Sequence, residues 1–216
     1  MFRFERKFII NNLTIPELEN ILRNSTLKFK KDYQKRKINS IYFDDANFGS
    51  FFENVDGNNL KKKIRLRWYG DKKIISSPNL EIKKKEAHLN QKLIYKINNF
   101  KKIKLSFQNV IYLFKKLKKR YEFLTNKYPI SSTHYERLYY ISSQKNIRAT
   151  LDYNINYFNF TENSNLNKFS KSIILEIKYS NDKDEVIRRS LNNISFRINK
   201  NSKYINSLIE YPLLII

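Results

Sequence analysis

Short runs in this chain alternate with period two, branched aliphatics on one side and charge on the other, and that alternation restricts the fold more than any other feature. Lys63-Ile64-Arg65-Leu66-Arg67-Trp68 puts three cations on one face of a strand and Ile64, Leu66 and Trp68 on the other. Leu80-Glu81-Ile82-Lys83 and Leu175-Glu176-Ile177-Lys178 each set one acid and one base together opposite aliphatics. Arg3, Glu5 and Lys7 share a face near the start, as do Arg148, Thr150 and Asp152 later. The spacing predicts strands over 41–43, 63–68, 80–84, 147–153 and 173–179. Two helices are expected. Thr14-Ile15-Pro16-Glu17 reads as a capping box that opens a helix over 15–24. Val110, Ile111, Phe114, Leu117 and Tyr121 form an apolar stripe on a basic helix over 107–127. Without regular strand–helix alternation, the fold class is mainly β (α+β), an antiparallel sheet or barrel flanked by a few helices. No repeat, linker or composition break divides residues 1–216, so a single domain is expected.

Charged strand faces are ordinary in a sheet with one solvated side, and that accounts for any one of these segments. The set needs more. Like charges spaced two residues apart repel, and like charges directly opposed across strands are destabilising. Five such faces make sense if they converge on a polyanion, and a closed barrel points every inward face at one lumen. Forty-three Lys and Arg against 20 Asp and Glu give a net charge of +23, which suits nucleic acid, an anionic membrane surface or polyphosphate. AT-rich coding would also raise the lysine content.

Other chemistries recede. There is no Cys, and His88 and His134 lack metal-ligand spacing, so both read as structural or surface residues. Only three glycines are present, none in a phosphate-cradling loop before Lys and Ser or Thr, which excludes a P-loop. The start has no basic-then-apolar leader, and no apolar run reaches the roughly 20 residues of a spanning helix. A soluble, cytoplasmic protein is expected, with room for peripheral contact with an anionic membrane. The apolar tail 211–216 is expected to pack on the barrel.

At these residues the chain resembles the VTC domain of polyphosphate polymerases, within the triphosphate tunnel metalloenzyme superfamily. The resemblance rests on an ordered set: Arg3-Phe-Glu5-Arg-Lys7-Phe, Ser40-Ile-Tyr42-Phe-Asp44-Asp45, Lys63-Ile-Arg65-Leu-Arg67-Trp-Tyr-Gly70 and Leu80-Glu81-Ile-Lys83. It continues with Tyr135-Glu-Arg137, Arg148-Ala-Thr150-Leu-Asp152, Ile174-Leu-Glu176-Ile-Lys178-Tyr and Ser202-Lys203-Tyr204. It implies an antiparallel β tunnel in which Lys7, Arg65, Arg67, Lys83, Arg137, Arg148 and Lys203 hold phosphates. Lys63 and Lys178 join them by strand parity. Glu176 is the implied carboxylate for Mn²⁺ or Mg²⁺, with Glu5 and Glu81 as further metal candidates. The triphosphatase branches carry two glutamates before the lysine, whereas Arg3 stands in the place of the first here.

The expected activity is transfer of the ATP γ-phosphoryl group to a growing inorganic polyphosphate chain. ATP and polyphosphate are the expected partners and nucleic acid is the less favoured one. A tunnel triphosphatase acting on a nucleoside triphosphate, tripolyphosphate or an RNA 5′ end is the alternative reading, and a non-catalytic polyanion-binding protein is the third.

Overall fold

The computed structural model of the chain describes residues 3–86, 89–143, 146–160, 167–192 and 196–209. Its elements begin with β1 (Arg3–Ile10), α1 (Ile15–Asn24), β2 (Lys30–Lys31), β3 (Arg36–Asp44), α2 (Gly49–Val55) and β4 (Leu60–Tyr69). Next come β5 (Ile74–Ile75), β6 (Asn79–Glu86), β7 (Leu89–Lys96), β8 (Ile103–Lys104), α3 (Phe107–Arg120) and β9 (Tyr128–Ile141). The order closes with β10 (Arg148–Asn159), β11 (Asn167–Ser170), β12 (Ile173–Ser180), α4 (Asp184–Asn192) and α5 (Lys203–Ile209). Each of the five predicted strands and both predicted helices corresponds to one of these elements, with Ile147 lying one residue before β10. His88 and the tail 211–216 lie outside the described residues.

Two units can be distinguished. The first takes Met1–Arg36, Tyr135–Ile155 and Ser170–Asn201; the second takes Lys37–His134, Asn156–Phe169 and Ser202–Ile216. In the first, strands run in the order β1-β12-β10-β9, with β2 on β9. Antiparallel register sets Lys7 opposite Glu176, Glu5 opposite Lys178, and Thr150 opposite Glu176. The other face of these strands is apolar: Phe8, Leu151, Leu175 and Ile177 pack with Leu18 and Leu22 of α1 and Ile187 and Leu191 of α4. Helix α1 starts where its capping box is satisfied in both directions, Thr14 accepting from the Glu17 amide and the Glu17 carboxylate accepting from Thr14. On that apolar side Arg6 donates to Tyr179 and to Asp184, tying β1 to the start of α4.

In the second unit the order is β9-β3-β4-β6-β7. Ile64, Leu66 and Trp68 of β4 pack with Leu80 and Ile82 of β6 and with Val110, Leu113, Phe114 and Leu117 of α3, so the apolar face lies under that helix. Helix α3 stops at Arg120 rather than at the expected 127. Tyr121 is extended, and its ring meets Tyr95 and Phe123, which pulls the chain out of the helix into a short 3₁₀ turn over Glu122–Leu124. His134 is half-buried, its ring edge-on to Trp68. The Asn39 amide donates to the Gly70 carbonyl, so its oxygen accepts from His134 Nδ1 at 2.9 Å, and Nε2 accepts from the Ser132 hydroxyl at 3.2 Å. Burial pushes this imidazole down to about 4, with Lys72 adding to the effect.

Candidate active site

The charged face of β4 is held by one carboxylate. Glu81 lies directly opposite Arg65 across the β4–β6 ladder, and such pairs present their side chains on the same face. Arg65 Nε and Nη2 donate to Glu81 Oε2 at 2.8 and 2.7 Å. Lys92 of β7 donates to Oε1 at 2.8 Å, and Arg67 Nη1 lies 3.9 Å from Oε2. Arg67 also donates through Nε to Ser40 on β3 at 3.2 Å. Glu81 is only 4% exposed. Its burial favours the neutral acid, yet Arg65, Arg67 and Lys92 outweigh that and hold the carboxyl down to about 2. One anion thus orders three cations.

One step along the strands, Lys63, Lys83 and Lys92 stand abreast on β4, β6 and β7. Like charges opposed at one level of a sheet repel, and Lys92 is held here by its pairing with Glu81. Lys63 Nζ donates to Ser202 at 3.0 Å, the residue before Lys203 at the start of α5. That helix is fixed by a buried carboxylate, Asp44. It accepts from the amides of Asp45, Ser50 and Phe51, at 2.9 to 3.0 Å, and from the Tyr204 hydroxyl. Tyr204 also stacks on Tyr42, with centroids 5.2 Å apart.

The first unit gathers its own cluster around Glu176. Lys178 Nζ lies 2.6 Å from Glu176 Oε1, and Lys7 Nζ lies 3.7 Å from Oε2 and 2.6 Å from Glu5. Burial opposes ionisation of Glu176, but Lys178, Lys7 and Arg137 hold it well below the usual carboxylate range. Arg137 is oriented by a bidentate pair with fully buried Asp152, Nε to Oδ1 at 2.5 Å and Nη2 to Oδ2 at 2.7 Å. That leaves the Nη1 side of its fork for a ligand. Arg148 begins β10 exposed, opposite Lys178.

The predicted residues therefore fall into two sets: Lys7, Arg137, Arg148, Lys178, Glu5 and Glu176 in the first unit, and Lys63, Arg65, Arg67, Lys83, Lys203 and Glu81 in the second. The first set holds four cations and two carboxylates, the second five cations and one carboxylate. For a hard divalent cation, Glu176, held ionised by its cations, and Glu5 are the candidate pair, sharing one lysine. Thr150 Oγ1, buried on the strand position opposite Glu176, has no hydrogen-bond partner, an unmet polar group of the kind that water around a metal satisfies. Among the described residues no group of three or more His, Cys, Asp or Glu side chains forms a metal cage. Glu81 and Glu176 each have both oxygens facing cations; those of Glu81 include two arginines, which it orders, whereas those of Glu176 are lysines. Lys92 and the anchoring roles of Asp152, Asp44 and Tyr204 were missed from sequence. The placement of Lys92 and Lys96 on one face of β7, with Leu93 and Tyr95 on the other, was the available signal for the first; the others are long-range pairings.

Comparison with known proteins bears on this geometry. A candidate adenylate cyclase from Vibrio parahaemolyticus superposes with a TM-score of 0.52 at 12% identity, covering 96% of this chain and 98% of that one. A candidate adenylyl cyclase from Hippeastrum, described as having a dominant triphosphatase activity, superposes at 0.53 with 13% identity and 96% coverage of both chains. No curated protein matches the sequence. The fold is thus shared with these two proteins, mainly antiparallel β with flanking helices; the ten-stranded sheet runs from β1 to β7 and, among the described residues, is not closed into the expected barrel. Within that class the sequence profile of the VTC domain matches residues 2–210, and the chain belongs to the VTC domain family. No helix among the described residues is long and apolar enough to cross a membrane.

Proposed function

We propose that this chain is a polyphosphate polymerase: it moves the γ-phosphoryl group of ATP onto the terminal phosphate of a polyphosphate chain and releases ADP. The observation that carries the reading is the Glu81-ordered set of Arg65, Arg67 and Lys92 beside the level of Lys63 and Lys83, in a chain of the VTC family. In the transfer, the bond between the γ-phosphorus and the β–γ bridging oxygen breaks, and a terminal oxygen of the acceptor forms the new P–O bond. Arg65 and Arg67 present fixed donors to non-bridging oxygens, where charge shifts during the transfer. Lys63, Lys83 and Lys203 add point charge there, and Lys7, Arg137, Arg148 and Lys178 form the first unit's own phosphate-binding set. Glu176 and Glu5 would hold Mn²⁺ or Mg²⁺, which supplies charge neutralisation at phosphate oxygens. Glu81 acts as a positioning residue for the arginines.

The acceptor's terminal phosphate is largely ionised near neutral pH and needs no strong general base. A water nucleophile would benefit from one, and the described carboxylates around these cations are themselves engaged by Lys or Arg. The triphosphatase activity of the Hippeastrum relative makes hydrolysis the competing reading. Incubation with ATP and Mn²⁺, followed by product analysis, decides between them. ADP with long acid-labile polymer is the expected result, lost in Arg65→Ala with Arg67→Ala; orthophosphate as the sole phosphorus product besides ADP points to hydrolysis.

A further inference from the structure

From Leu89 to Tyr121 the sequence has ten lysines and arginines and no acid, although the whole chain holds 20 Asp and Glu in 216 residues. AT-rich coding raises lysine but does not remove acids. Helix α3 closes that stretch. It buries Val110, Leu113, Phe114 and Leu117 against the sheet and leaves Phe107, Tyr112, Lys115, Lys116, Lys119 and Arg120 exposed. Tyr112, Lys116 and Arg120 follow one another at four-residue steps, with Lys115 and Lys119 beside them, so rings and cations share one side of the helix. Lys116 Nζ lies 4.4 Å from the centre of the Tyr112 ring. The helix dipole accounts for Lys118, Lys119 and Arg120 in the last turn. That account does not reach Lys115 and Lys116, a turn earlier, or the exposed Lys101, Lys102 and Lys104 ahead of the helix.

The basic surface continues past the end of α3. Lys62 and Lys84 are directly opposed across β4 and β6, on the side of the sheet that α3 covers. Lys62 lies over the Phe123 ring and Lys118 over the Tyr128 ring, each at 5.9 Å. Burial, Lys127 and Lys84 together hold the Lys62 ammonium below its ordinary range. The acids Glu53 and Asp45 are engaged there by the Lys62 amide and by the Lys127 side chain.

We propose that the outer face of α3 docks on an anionic lipid bilayer, its cations against the headgroups and Phe107 and Tyr112 at headgroup depth. The inference is independent of the phosphoryl-transfer reading and assigns a surface which that reading does not use. Charge complementarity restricts the occupant to a polyanion, and the rings choose among polyanions. Phe107 and Tyr112 are 55% and 58% exposed. Polyphosphate offers nothing apolar to cover them, whereas rings beside lysines are what a bilayer interface receives. Single-stranded nucleic acid also stacks on rings, but it is tracked by a basic groove, and one side of a helix lying on a sheet is convex. A bilayer needs only an open face, here about 21 Å long for 14 residues.

Cosedimentation of the full chain with vesicles of phosphatidylcholine alone, and of phosphatidylcholine with about one quarter phosphatidylserine, tests the proposal. Binding is expected to the anionic vesicles only and should fall as salt rises. Lys115→Gln, Lys116→Gln, Lys119→Gln and Arg120→Gln together should weaken it at least about tenfold, because each cation near such a surface contributes. Tyr112→Ala leaves every charge in place and should weaken it about threefold. Arginine at the same three lysine positions should keep the binding, and all three variants should keep the urea midpoint of the unaltered protein, which separates lost docking from lost folding. Equal sedimentation with neutral vesicles, none with either kind, or binding that the quadruple variant leaves unchanged overturns the proposal. So does tighter binding of polyphosphate or single-stranded RNA through the same four cations, which would make the helix a face for those polymers instead.

Discussion

Glu81 is the residue through which the second unit's cations hold one geometry, and its titration gives that role a measurable signature. Its carboxyl moves from 4.5 to about 2 on folding. The unfolded chain therefore binds the extra proton first, and the stability this group contributes is full above about 4.5 and lost as pH falls toward 2. Replacing it by Gln should lower stability at pH 7 by about 2 kcal/mol, because the partner cations remain with no anion among them. The acid-denaturation slope between pH 4.5 and 2 should become shallower in Glu81→Gln than in the unaltered protein. Equal slopes would show that the carboxylate is not held by these partners. The pairing of Glu81 with Arg65 needed cross-strand register. The sequence showed both residues on charged faces but not that 16 residues of chain separate one ion pair. In the same way Asp152 was legible as a face-mate of Arg148, while its actual partner, Arg137, comes from β9.

At the level of elements, what the sequence disclosed was local. The faces of β4, β6 and β12 follow from alternation within a few residues, and α1 from its capping box and apolar spacing. Strand β9 was not predicted, since Ser131-Ser132-Thr133 interrupts any alternation with three buried polar residues. Helix α2 escaped too: it has two turns, begins from Phe48 in a left-handed conformation, and owes its start to Asp44 rather than to its own cap. The same carboxylate holds α5, which gives an element-scale prediction. Tyr204→Phe removes the hydroxyl donated to Asp44 but keeps the stack on Tyr42 and the backbone amides on the acid. It should destabilise by about 1–2 kcal/mol and speed amide exchange over Lys203–Ile209 ahead of β4. Unchanged exchange in that helix would remove the anchoring role.

For the whole molecule, β9 and β10 are continuous strands that pass from one unit to the other in the chain, so neither unit is a single uninterrupted stretch of sequence. We propose that the chain unfolds as one cooperative domain. Urea denaturation followed by the fluorescence of Trp68, which lies in the second unit, and by exchange of β1 and β12 amides in the first should give one midpoint. Two separated midpoints would show independent domains. The net charge of +23 reaches well past the residues assigned to phosphates. Helix α3 contains no acid and exposes Lys115, Lys116, Lys119 and Arg120 on the side away from its buried stripe.

The hydrogen bond from Lys63 to Ser202 spans 139 residues. During translation, β4 therefore leaves the ribosome long before the segment that supplies Ser202, Lys203 and Tyr204 has been made. A nascent chain stalled in between displays its arginines and lysines with no closing helix, and becomes a sticky cationic fragment in a cell full of RNA. Synthesis of that late segment is what turns such a fragment into a finished site.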